Sequence, residues 1–420
     1  MILHDGFGRA SDVAQVALGS GLLRPVFRWL RTARPDLVAR MRHEPFAARG
    51  ETFVRSVGLL EKAAFLAKML GTDGGWSERS PPEEDRPQPE DGGWAAEEML
   101  FAGDVLFPGA LDERTLSAPL RARIARASSF VLNLEGTVAD QAHELAPLLT
   151  QRGLGQLLAY VADPTNADWV SRIDPAGLQA LLGSKARALV SVANNHTLDD
   201  GLVGFETTLD LLARAGVGVV GDARSEDGAA IVELGPHRIG LFAISYGSNH
   251  RAEGQARHLH FDDVPYRLSQ ERAEGLTRRL QARGATHVVA MLHWGHEHEH
   301  EPAAEQRRCA AVLFGAGVSA VIGHHPHLMQ PSESAAGRWV SYSLGDFVGG
   351  DRTIWSRFSA MVALRFGSGG AVRGELIPVV QAPFWKRHMT MLLEEAPAFE
   401  RAVFARWFTS KVPHSRRVTS

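Results

Sequence analysis

Two hydrophobic patterns divide the chain. Up to about residue 71, apolar residues recur at three- and four-residue spacing with Arg and Lys between them, as in "ETFVRSVGLLEKAAFLAKML". This spacing predicts amphipathic helices. We expect this helical N-terminal extension, residues 1–71, to pack against the main domain; a partner or membrane surface is the alternative for such a helix.

Beyond a linker the pattern changes. Residues 72–95 contain four prolines, clustered acids and paired glycines, a composition that cannot bury a core. From there, short apolar runs end in polar residues and alternate with helical stretches, which predicts an α/β protein with strands buried on both faces. The runs are "EMLFAGDVLF", "SSFVLNLEG", "ARALVSVANNH", "GVGVVGDA", "HRIGLFAISYG", "THVVAMLHWG", "VSAVIGHHPH" and "RWVSYSLGDFV".

The C-terminal third completes this main domain, which we assign to residues 96–385. The segment "SAMVALRFGSGGAVRGELIPVVQ" predicts a hairpin or strand pair. Residues 386–420 predict a final helix, "MLLEEAPAFERAVFARWF", and a basic tail.

Composition narrows the class of protein. The 420 residues are 45% hydrophobic and 22% charged with a formal net charge of -3, so nothing favours nucleic acid as a partner. The single cysteine, Cys309, excludes an intrachain disulfide. No run has the length of a transmembrane segment, and the N-terminus lacks the features of a signal peptide. We therefore expect a soluble, cytoplasmic protein, with the oligomeric state left open.

Polar residues with ligand chemistry follow the strand-like runs. A two-metal hydrolytic centre needs such a set, because a carboxylate can bridge two cations while imidazoles and an amide oxygen complete each shell. Each residue alone has a structural alternative: a helix N-cap, a turn, or a hydrogen-bonded core histidine. Their joint occurrence at successive strand ends favours the metal centre. The residues are Asp104, Glu135, Asn195, His196, His293, His324, His325 and His327.

The chain resembles the CapA family, which is named for poly-γ-glutamate capsule biosynthesis and is similar to the calcineurin-like metallophosphoesterases. Six blocks between about residues 99 and 350 carry the resemblance, in family order: "GDVLFPG", "LNLEG", "ANNHTLDDG", "HWGHEHEHEPAAEQ", "IGHHPHLMQ" and "YSLGDFV". The resemblance implies a four-layer α/β/β/α metallophosphoesterase-like sandwich with a dinuclear site on the strand-end loops.

The resemblance also implies roles for individual residues. Asp104 would bind the first metal, Glu135 would bridge, and Asn195 would bind the second metal through its amide oxygen. His196 would stay free of metal and protonate the leaving oxygen or stabilise the transition state. The histidine ligands would be His293, His324 and His327, with His325 a neighbour, although the superfamily pattern H-x-H also fits His325 and His327. The cofactors would be two divalent transition metals, namely Mn, Fe or Zn.

Two positions depart from the related patterns. Leu106 stands where the superfamily motif D-x-H has a histidine, which leaves the first metal short of one protein ligand. Asp346 replaces the asparagine of L-G-N-F, and the added charge would tighten metal binding or repel an anionic substrate. Arg352 could compensate as a clamp for phosphate or carboxylate. For both residues, a surface turn is the alternative.

The tract "HWGHEHEHE" combines a ligand candidate with extra histidines. His293 matches the family position, whereas His296, His298 and His300 are additional. We expect these three to be solvated on a polar loop; if the segment were extended they would share one face, which would suit an additional metal site. We expect Glu297 to anchor the loop or contact substrate, and Tyr246 to line the same cleft.

These features lead to a functional hypothesis and its rivals. The first hypothesis is a CapA-like metal-dependent hydrolase acting on a phosphoester or related bond of an anionic substrate. The alternative is a non-hydrolytic component of capsule polymer synthesis that binds an anionic polymer or intermediate. A third reading is a reaction on a small amino-acid-like metabolite.

Overall fold

The computed structural model describes residues 94–106, 111–139, 172–183, 187–224, 228–248, 267–349, 354–382 and 389–409. The predicted helical extension, nearly all of the predicted linker, Arg352 and the basic tail lie outside the described residues.

The first sheet has the strand order β16-β15-β14-β1-β2-β5-β6, and β13 also pairs with β1. The pairs that β1 makes with β2 and β13 are parallel, as are β2–β5 and β5–β6, whereas β14, β15 and β16 pair antiparallel. The strands are β1 (Met99–Leu106), β2 (Ser129–Leu134), β5 (Ala188–Ser191), β6 (Gly218–Val220), β13 (Asp346–Gly349), β14 (Phe358–Phe366), β15 (Val372–Gln381) and β16 (Thr390–Leu392).

The second sheet has the order β11-β12-β10-β9-β8-β7, with a parallel centre and an antiparallel pair at each edge. Its strands are β7 (Ala230–Leu234), β8 (His237–Ser245), β9 (His287–His293), β10 (Ala320–His324), β11 (Ser332–Ala335) and β12 (Arg338–Ser341). A separate short pair consists of β3 (Thr137–Val138) and β4 (Arg172–Ile173).

Helices cover the outer face of each sheet. α1, α2 and α3 pack on the first sheet, and α4 and α5 pack on the second. Side-chain caps start several of them: the Asp174 carboxylate, for example, accepts a hydrogen bond from the backbone N–H of Gly177 at 2.6 Å. The helices are α1 (Ala118–Arg126), α2 (Pro175–Leu182), α3 (Gly201–Arg214), α4 (Gln270–Ala282), α5 (Ala304–Gly315) and α6 (Ala398–Thr409). Among the described residues, every helix is too short or too polar to span a lipid bilayer.

The period of two along the strands produces the layers. In β1, Met99 and Phe101 face the core between the two sheets, whereas Leu100 and Ala102 face the helices of the first sheet. All eight residues of β1 are buried. Because both sheets repeat this arrangement, the described residues form the expected four-layer α/β/β/α sandwich.

A glycine allows the close approach of chain segments beside the site. A Cβ atom at Gly103 would lie 1.8 Å from the carbonyl oxygen of Gly345, so no other residue fits there without moving the backbone. The backbone N–H of the next residue, Asp104, donates to that same carbonyl at 3.0 Å. This contact brings the segment before β13 against β1.

Most strand predictions are confirmed, with two corrections. The run "RWVSYSLGDFV" is two strands: β12 lies in the second sheet and β13 in the first, because the chain crosses between the sheets at residues 342–345. The predicted final helix begins later than expected, at Ala398, since the preceding residues form β16 and a 3₁₀ turn. The predicted hairpin is β14 paired with β15.

Candidate metal centre

The candidate site lies where the parallel strands of both sheets end. Asp104 sits inside β1, which rules out the helix N-cap alternative, and Glu135 directly follows β2. His293 and His324 are the last residues of β9 and β10 and are directly opposite each other in the parallel register. Asn195 and His196 lie in the turn that follows β5. All of these side chains are at least 90% buried.

The Asp104 carboxylate is held by three groups. The side-chain amide of Asn133 donates to Oδ1 at 2.9 Å, and the backbone N–H of His325 donates to Oδ2 at 2.9 Å. Nδ1 of His324 lies 3.1 Å from Oδ1. Burial alone would raise the pKa of Asp104, but His324, the charge of His327 and the backbone N–H of His325 together outweigh it, so the pKa lies below its ordinary value.

The Glu135 carboxylate is buried without a hydrogen bond among the described residues. It is fully buried, and among the described residues neither oxygen has a hydrogen-bond partner. Three imidazole nitrogens surround Oε1: Nε2 of His293 at 3.5 Å, of His327 at 3.9 Å and of His196 at 4.0 Å. Burial raises the pKa of Glu135 well above its ordinary value, because the charge of His327 does not offset it.

His293 and Asn195 present their donor atoms together. Nε2 of His293 lies 2.7 Å from Oδ1 of Asn195, and Nδ1 lies 3.3 Å from the side-chain amide nitrogen of Asn133. Burial and the neighbouring histidines hold the pKa of His293 well below its ordinary value. The ring is therefore neutral at pH 7, the form that binds metals.

His196 is oriented by an acid that sequence reasoning missed. Nδ1 of His196 lies 2.7 Å from Oδ2 of Asp199, three residues later in the same turn. Its backbone N–H donates to Oδ1 of Asn194 at 3.1 Å. With Nδ1 engaged by Asp199, Nε2 is the ring nitrogen that faces Glu135.

His327 connects two carboxylates. Nδ1 lies 2.8 Å from Oδ1 of Asp346, and Nε2 points toward Glu135. Burial would lower the pKa of His327, but the charges of Asp346 and Glu135 outweigh it and raise the pKa to about 10. Asp346 is 3% exposed, so the surface-turn alternative is wrong for this residue.

The donor set suits divalent cations. Buried carboxylates without hydrogen bonds are costly unless a cation compensates them, and Glu135 meets that description. Within the part of the chain that the structure describes, three overlapping groups of buried side chains each place one ligand atom per residue within 4.8 Å of the others. The groups are Asp104, Glu135 and His293; Glu135, His325 and His327; and Asp104, His327 and Asp346. The residues therefore fit bound metal.

The histidine tract differs from the prediction. His296, His298 and His300 are 1%, 3% and 2% exposed, so the expectation that they are solvated is wrong. The segment is a series of turns and not an extended strand, and His298 has a φ of 58°. The ring of His298 lies 5.9 Å from that of His327, which makes the tract a wall beside the site.

The remaining predicted site residues lie around the same centre. The Tyr246 ring lies 4.7 Å from that of His325 and is partly buried. Glu297 is partly buried and acts electrostatically on Glu135 and His327. Leu106 is a buried core residue at the end of β1. His325, which was predicted to be a neighbour of the ligands, also belongs to one of the three groups that could hold a metal ion.

Proteins named for PGA, capsule or polyglutamine synthesis in several bacteria match slightly less than half of this chain. The PGA biosynthesis protein CapA of Bacillus subtilis is 29% identical over 204 residues, which cover 46% of this chain and 50% of that protein. The capsule biosynthesis protein CapA of Bacillus anthracis is 25% identical over 197 residues, 46% of this chain and 47% of that protein. A probable polyglutamine synthesis accessory protein of Mycobacterium tuberculosis is 27% identical over 188 residues, 42% of this chain and 49% of that protein. The chain thus spans about half the length of these relatives.

Similarity to solved structures is more distant. Haemophilus influenzae NAD nucleotidase (NadN) aligns with a TM-score of 0.36 and 11% identity over 75% of this chain and 60% of that chain. The sulfate thiohydrolase SoxB of Thermus thermophilus aligns with a TM-score of 0.36 and 15% identity over 73% of this chain and 48% of that chain.

The family is decided by the sequence match. The sequence model of the bacterial capsule synthesis protein family, PGA_cap, matches residues 98–351, which is more than half of the chain and contains every candidate ligand named above. This chain belongs to the bacterial capsule synthesis protein family PGA_cap.

Proposed function

We propose that this chain is a metal-dependent hydrolase that cleaves a phosphoester or a related bond in an anionic substrate. The observation that carries the proposal is the placement of His196. Its ring is fixed by Asp199 on one side and faces the buried Glu135 carboxylate, 4.0 Å away, on the other. A buried histidine that an acid orients in this way is suited to proton transfer.

The residues that would hold metal follow from the donor set. Asp104, Glu135, Asn195, His293 and His327 would hold the cations, with His324 or His325 as a further ligand. The expected cofactors are two ions of Mn, Fe or Zn, because mixed nitrogen and oxygen ligands suit these metals. When bound, such cations stabilise the negative charge that develops on a transferring phosphoryl group.

The protein itself would supply orientation and a proton. Nδ1 of His196 donates to the Asp199 carboxylate, so Nε2 carries a proton when the ring is in its imidazolium form, and that form would give the Nε2 proton to the leaving oxygen. Asp199 would hold the ring in place and stabilise its protonated form. The buried wall formed by the histidine tract would limit the access of water to the reacting bond.

The substrate would be an anion that fits the rim of this centre. The Tyr246 ring lies 4.7 Å from that of His325, tilted by 46°, and would contribute an aromatic surface to this rim. Glu297 is partly exposed and adds negative charge, which favours a substrate with a cationic or hydrogen-bond-donating part near the anionic one. The role of Arg352 as an anion clamp remains part of the proposal.

A non-hydrolytic role in capsule polymer synthesis is the second candidate. The names of the relatives favour it, since two are called CapA and are named for PGA or capsule biosynthesis. In that role the centre would bind carboxylates of an acidic polymer or a phosphorylated intermediate, and His196 would donate a hydrogen bond without transferring a proton.

Hydrolysis of a generic phosphodiester distinguishes these candidates. The purified full chain is assayed with bis(p-nitrophenyl) phosphate, with and without added manganese, beside the His196→Ala variant at equal metal content. Manganese-dependent turnover that His196→Ala abolishes supports the hydrolase. Metal binding without turnover, together with retention of a poly-γ-glutamate probe on the immobilised protein, favours the second candidate.

A further inference from the structure

Asp346 reaches the centre through strand pairing with β1. β13 runs parallel to β1, and the register places Asp346 directly beside Asp104 although the two residues are far apart in sequence. The side chain is 3% exposed, so its carboxylate is held inside the protein next to the candidate metal ligands.

Both oxygens of this carboxylate have defined surroundings. Oδ1 lies 2.8 Å from Nδ1 of His327, within hydrogen-bond distance. Oδ2 faces Gly349, where a Cβ atom would lie only 2.7 Å away. The missing side chain at Gly349 therefore makes the space that this carboxylate fills. The carboxylate thus contacts an imidazole and the backbone of its own strand, and one of its oxygens lies within 4.8 Å of ligand atoms of Asp104 and His327.

The partner histidine is aligned between two carboxylates. With Nδ1 on Asp346, its Nε2 is the nitrogen that faces Glu135, at 3.9 Å from Oε1. His327 also has a φ of 57°, in the left-handed region that non-glycine residues adopt uncommonly. The two carboxylates thus flank the ring.

We propose that Asp346 is a positioning residue that sets the metal affinity of this centre through His327. The carboxylate holds a proton on Nδ1, leaves Nε2 as the metal-binding nitrogen, and makes that nitrogen a stronger donor. Carboxylate–histidine–metal arrangements of this kind fix the tautomer and raise the basicity of the ligand. The inference rests on the proposed metal centre and adds to it a residue that tunes the centre.

Hydrogen bonds from the Gln381 side chain hold the backbone of β13, which carries Asp346. The side-chain amide of Gln381 donates to the carbonyl oxygen of Asp346 at 2.9 Å, and the Gln381 side-chain oxygen accepts from the backbone N–H of Gly349 at 2.9 Å. The carbonyl oxygen of Gln381 in turn accepts from Nε of the buried Arg357 at 3.0 Å. These bonds fix both ends of β13.

A double-mutant cycle on metal affinity tests the inference. The dissociation constant for Mn²⁺ is measured by calorimetry for the wild type, Asp346→Asn, His327→Ala and the double variant. Asp346→Asn keeps the shape and an acceptor oxygen but removes the charge, and we expect it to weaken binding about 10- to 100-fold. In the His327→Ala background the same substitution should have no further effect, because the imidazole through which Asp346 acts is absent.

Other outcomes overturn the inference in distinct ways. An equal loss in both backgrounds would make Asp346 a direct metal ligand, and an unchanged affinity would leave it without a role at the metal. Asp174→Asn is the matched control, since it removes a partly buried carboxylate that caps α2 and is not among the candidate ligands. Its metal affinity should equal that of the wild type.

A second measurement covers the case in which Asp346→Asn does not fold. In the Zn²⁺-loaded wild type, long-range ¹H–¹⁵N spectra, assigned with His327→Ala, should show His327 protonated at Nδ1 and coordinated at Nε2. Coordination through Nδ1 would overturn the inference. Metal binding without phosphodiester turnover would refute the proposed hydrolase and leave this test intact, whereas a wild type that binds no metal would refute both.

Discussion

Nδ1 of His196 lies 2.7 Å from Oδ2 of Asp199, and the turn that carries both residues is fastened to the strand that precedes Glu135. The fastening residue is Asn194. Its side-chain amide donates to the carbonyl oxygen of Leu134 at 2.7 Å and to Oδ1 of Asn133 at 3.3 Å. The proposed proton donor and the proposed bridging carboxylate are therefore held by one hydrogen-bonded unit.

Replacing His196 should separate chemistry from metal binding. His196→Ala should lower kcat for the phosphodiester about 100- to 10,000-fold, the range that general acid catalysis contributes. Metal content should stay at the wild-type value, because His196 is not among the proposed ligands. Steady-state kinetics with elemental analysis of the same preparation check both expectations. A parallel loss of metal and activity would remove His196 from its proposed role.

Replacing Asp199 should act in the same direction but less strongly. Asp199→Asn keeps the ring in place and removes the charge that stabilises the protonated imidazole, so kcat should fall about 10- to 100-fold. The adjacent Asp200 provides the matched control, since its carboxylate binds Arg172 and Thr137 instead of His196. Asp200→Asn should leave kcat within about twofold of the wild type. Equal kinetic losses in the two variants would contradict the orienting role of Asp199.

Buried glutamines fasten the histidine tract. The Gln330 side-chain amide donates to the carbonyl oxygens of Glu299 and Glu301 at 2.9 and 3.2 Å, and its oxygen accepts from the Gln306 side chain at 3.0 Å. Gln330→Leu should lower the free energy of unfolding by about 1 to 3 kcal/mol, because buried carbonyl groups lose their donors. Urea denaturation measures this.

The control for that prediction is a surface glutamine. Gln270 is exposed and bonds only Glu274 among the described residues. Gln270→Leu should change the free energy of unfolding by less than about 0.5 kcal/mol. If Gln330→Leu changed the free energy of unfolding as little as Gln270→Leu, contacts other than those of Gln330 would keep the tract buried.

His287 gives the fold a pH dependence remote from the centre. Burial and the charge of the neighbouring His237 lower the pKa of His287 to about 4, while Nε2 bonds the carbonyl oxygen of Gly367 at 2.9 Å. In the unfolded chain His287 is protonated below about pH 6.5, whereas in the folded protein it is protonated only below about pH 4. The free energy of unfolding should therefore rise with pH across this window and fall on acidification.

The prediction is tested on metal-free protein by comparing His287→Gln with the wild type. Urea denaturation at about pH 5 and about pH 7.5 gives the pH-dependent loss of stability for each. The loss should be smaller in the variant, because glutamine takes up no proton. An equal or larger loss in the variant would contradict the lowered pKa of His287.

The sequence predicted the candidate ligands better than the residues that hydrogen-bond to the site and orient it. Asp104, Glu135, His293 and His324 are readable because each comes at or near the end of a buried apolar run, where parallel strands collect functional groups. Asn133 was missed because an amide inside a strand has no local signal. Asp199 was missed because the turn after β5 brings it back onto His196, which spacing alone does not show.

The pairing of Asp346 with Asp104 could not be predicted from the sequence either. The prediction treated "RWVSYSLGDFV" as a single strand, whereas the chain changes sheets within it and so brings Asp346 beside β1. The prediction that the histidine tract is solvated was wrong for a related reason. Composition describes His and Glu as polar, but burial is decided by the contacts of Gln330 and by the β10–β11 segment against which the tract lies.

The most direct test of the metal centre is the metal content of the wild type and of Glu135→Ala, purified in parallel and measured by elemental analysis. Glu135 is the buried carboxylate whose oxygens lack hydrogen bonds among the described residues. The wild type should retain close to two transition-metal ions per chain, and Glu135→Ala should lose most of them. A metal-free wild type after exposure to Mn²⁺, Fe²⁺ and Zn²⁺, or a variant with undiminished content, would contradict the dinuclear centre.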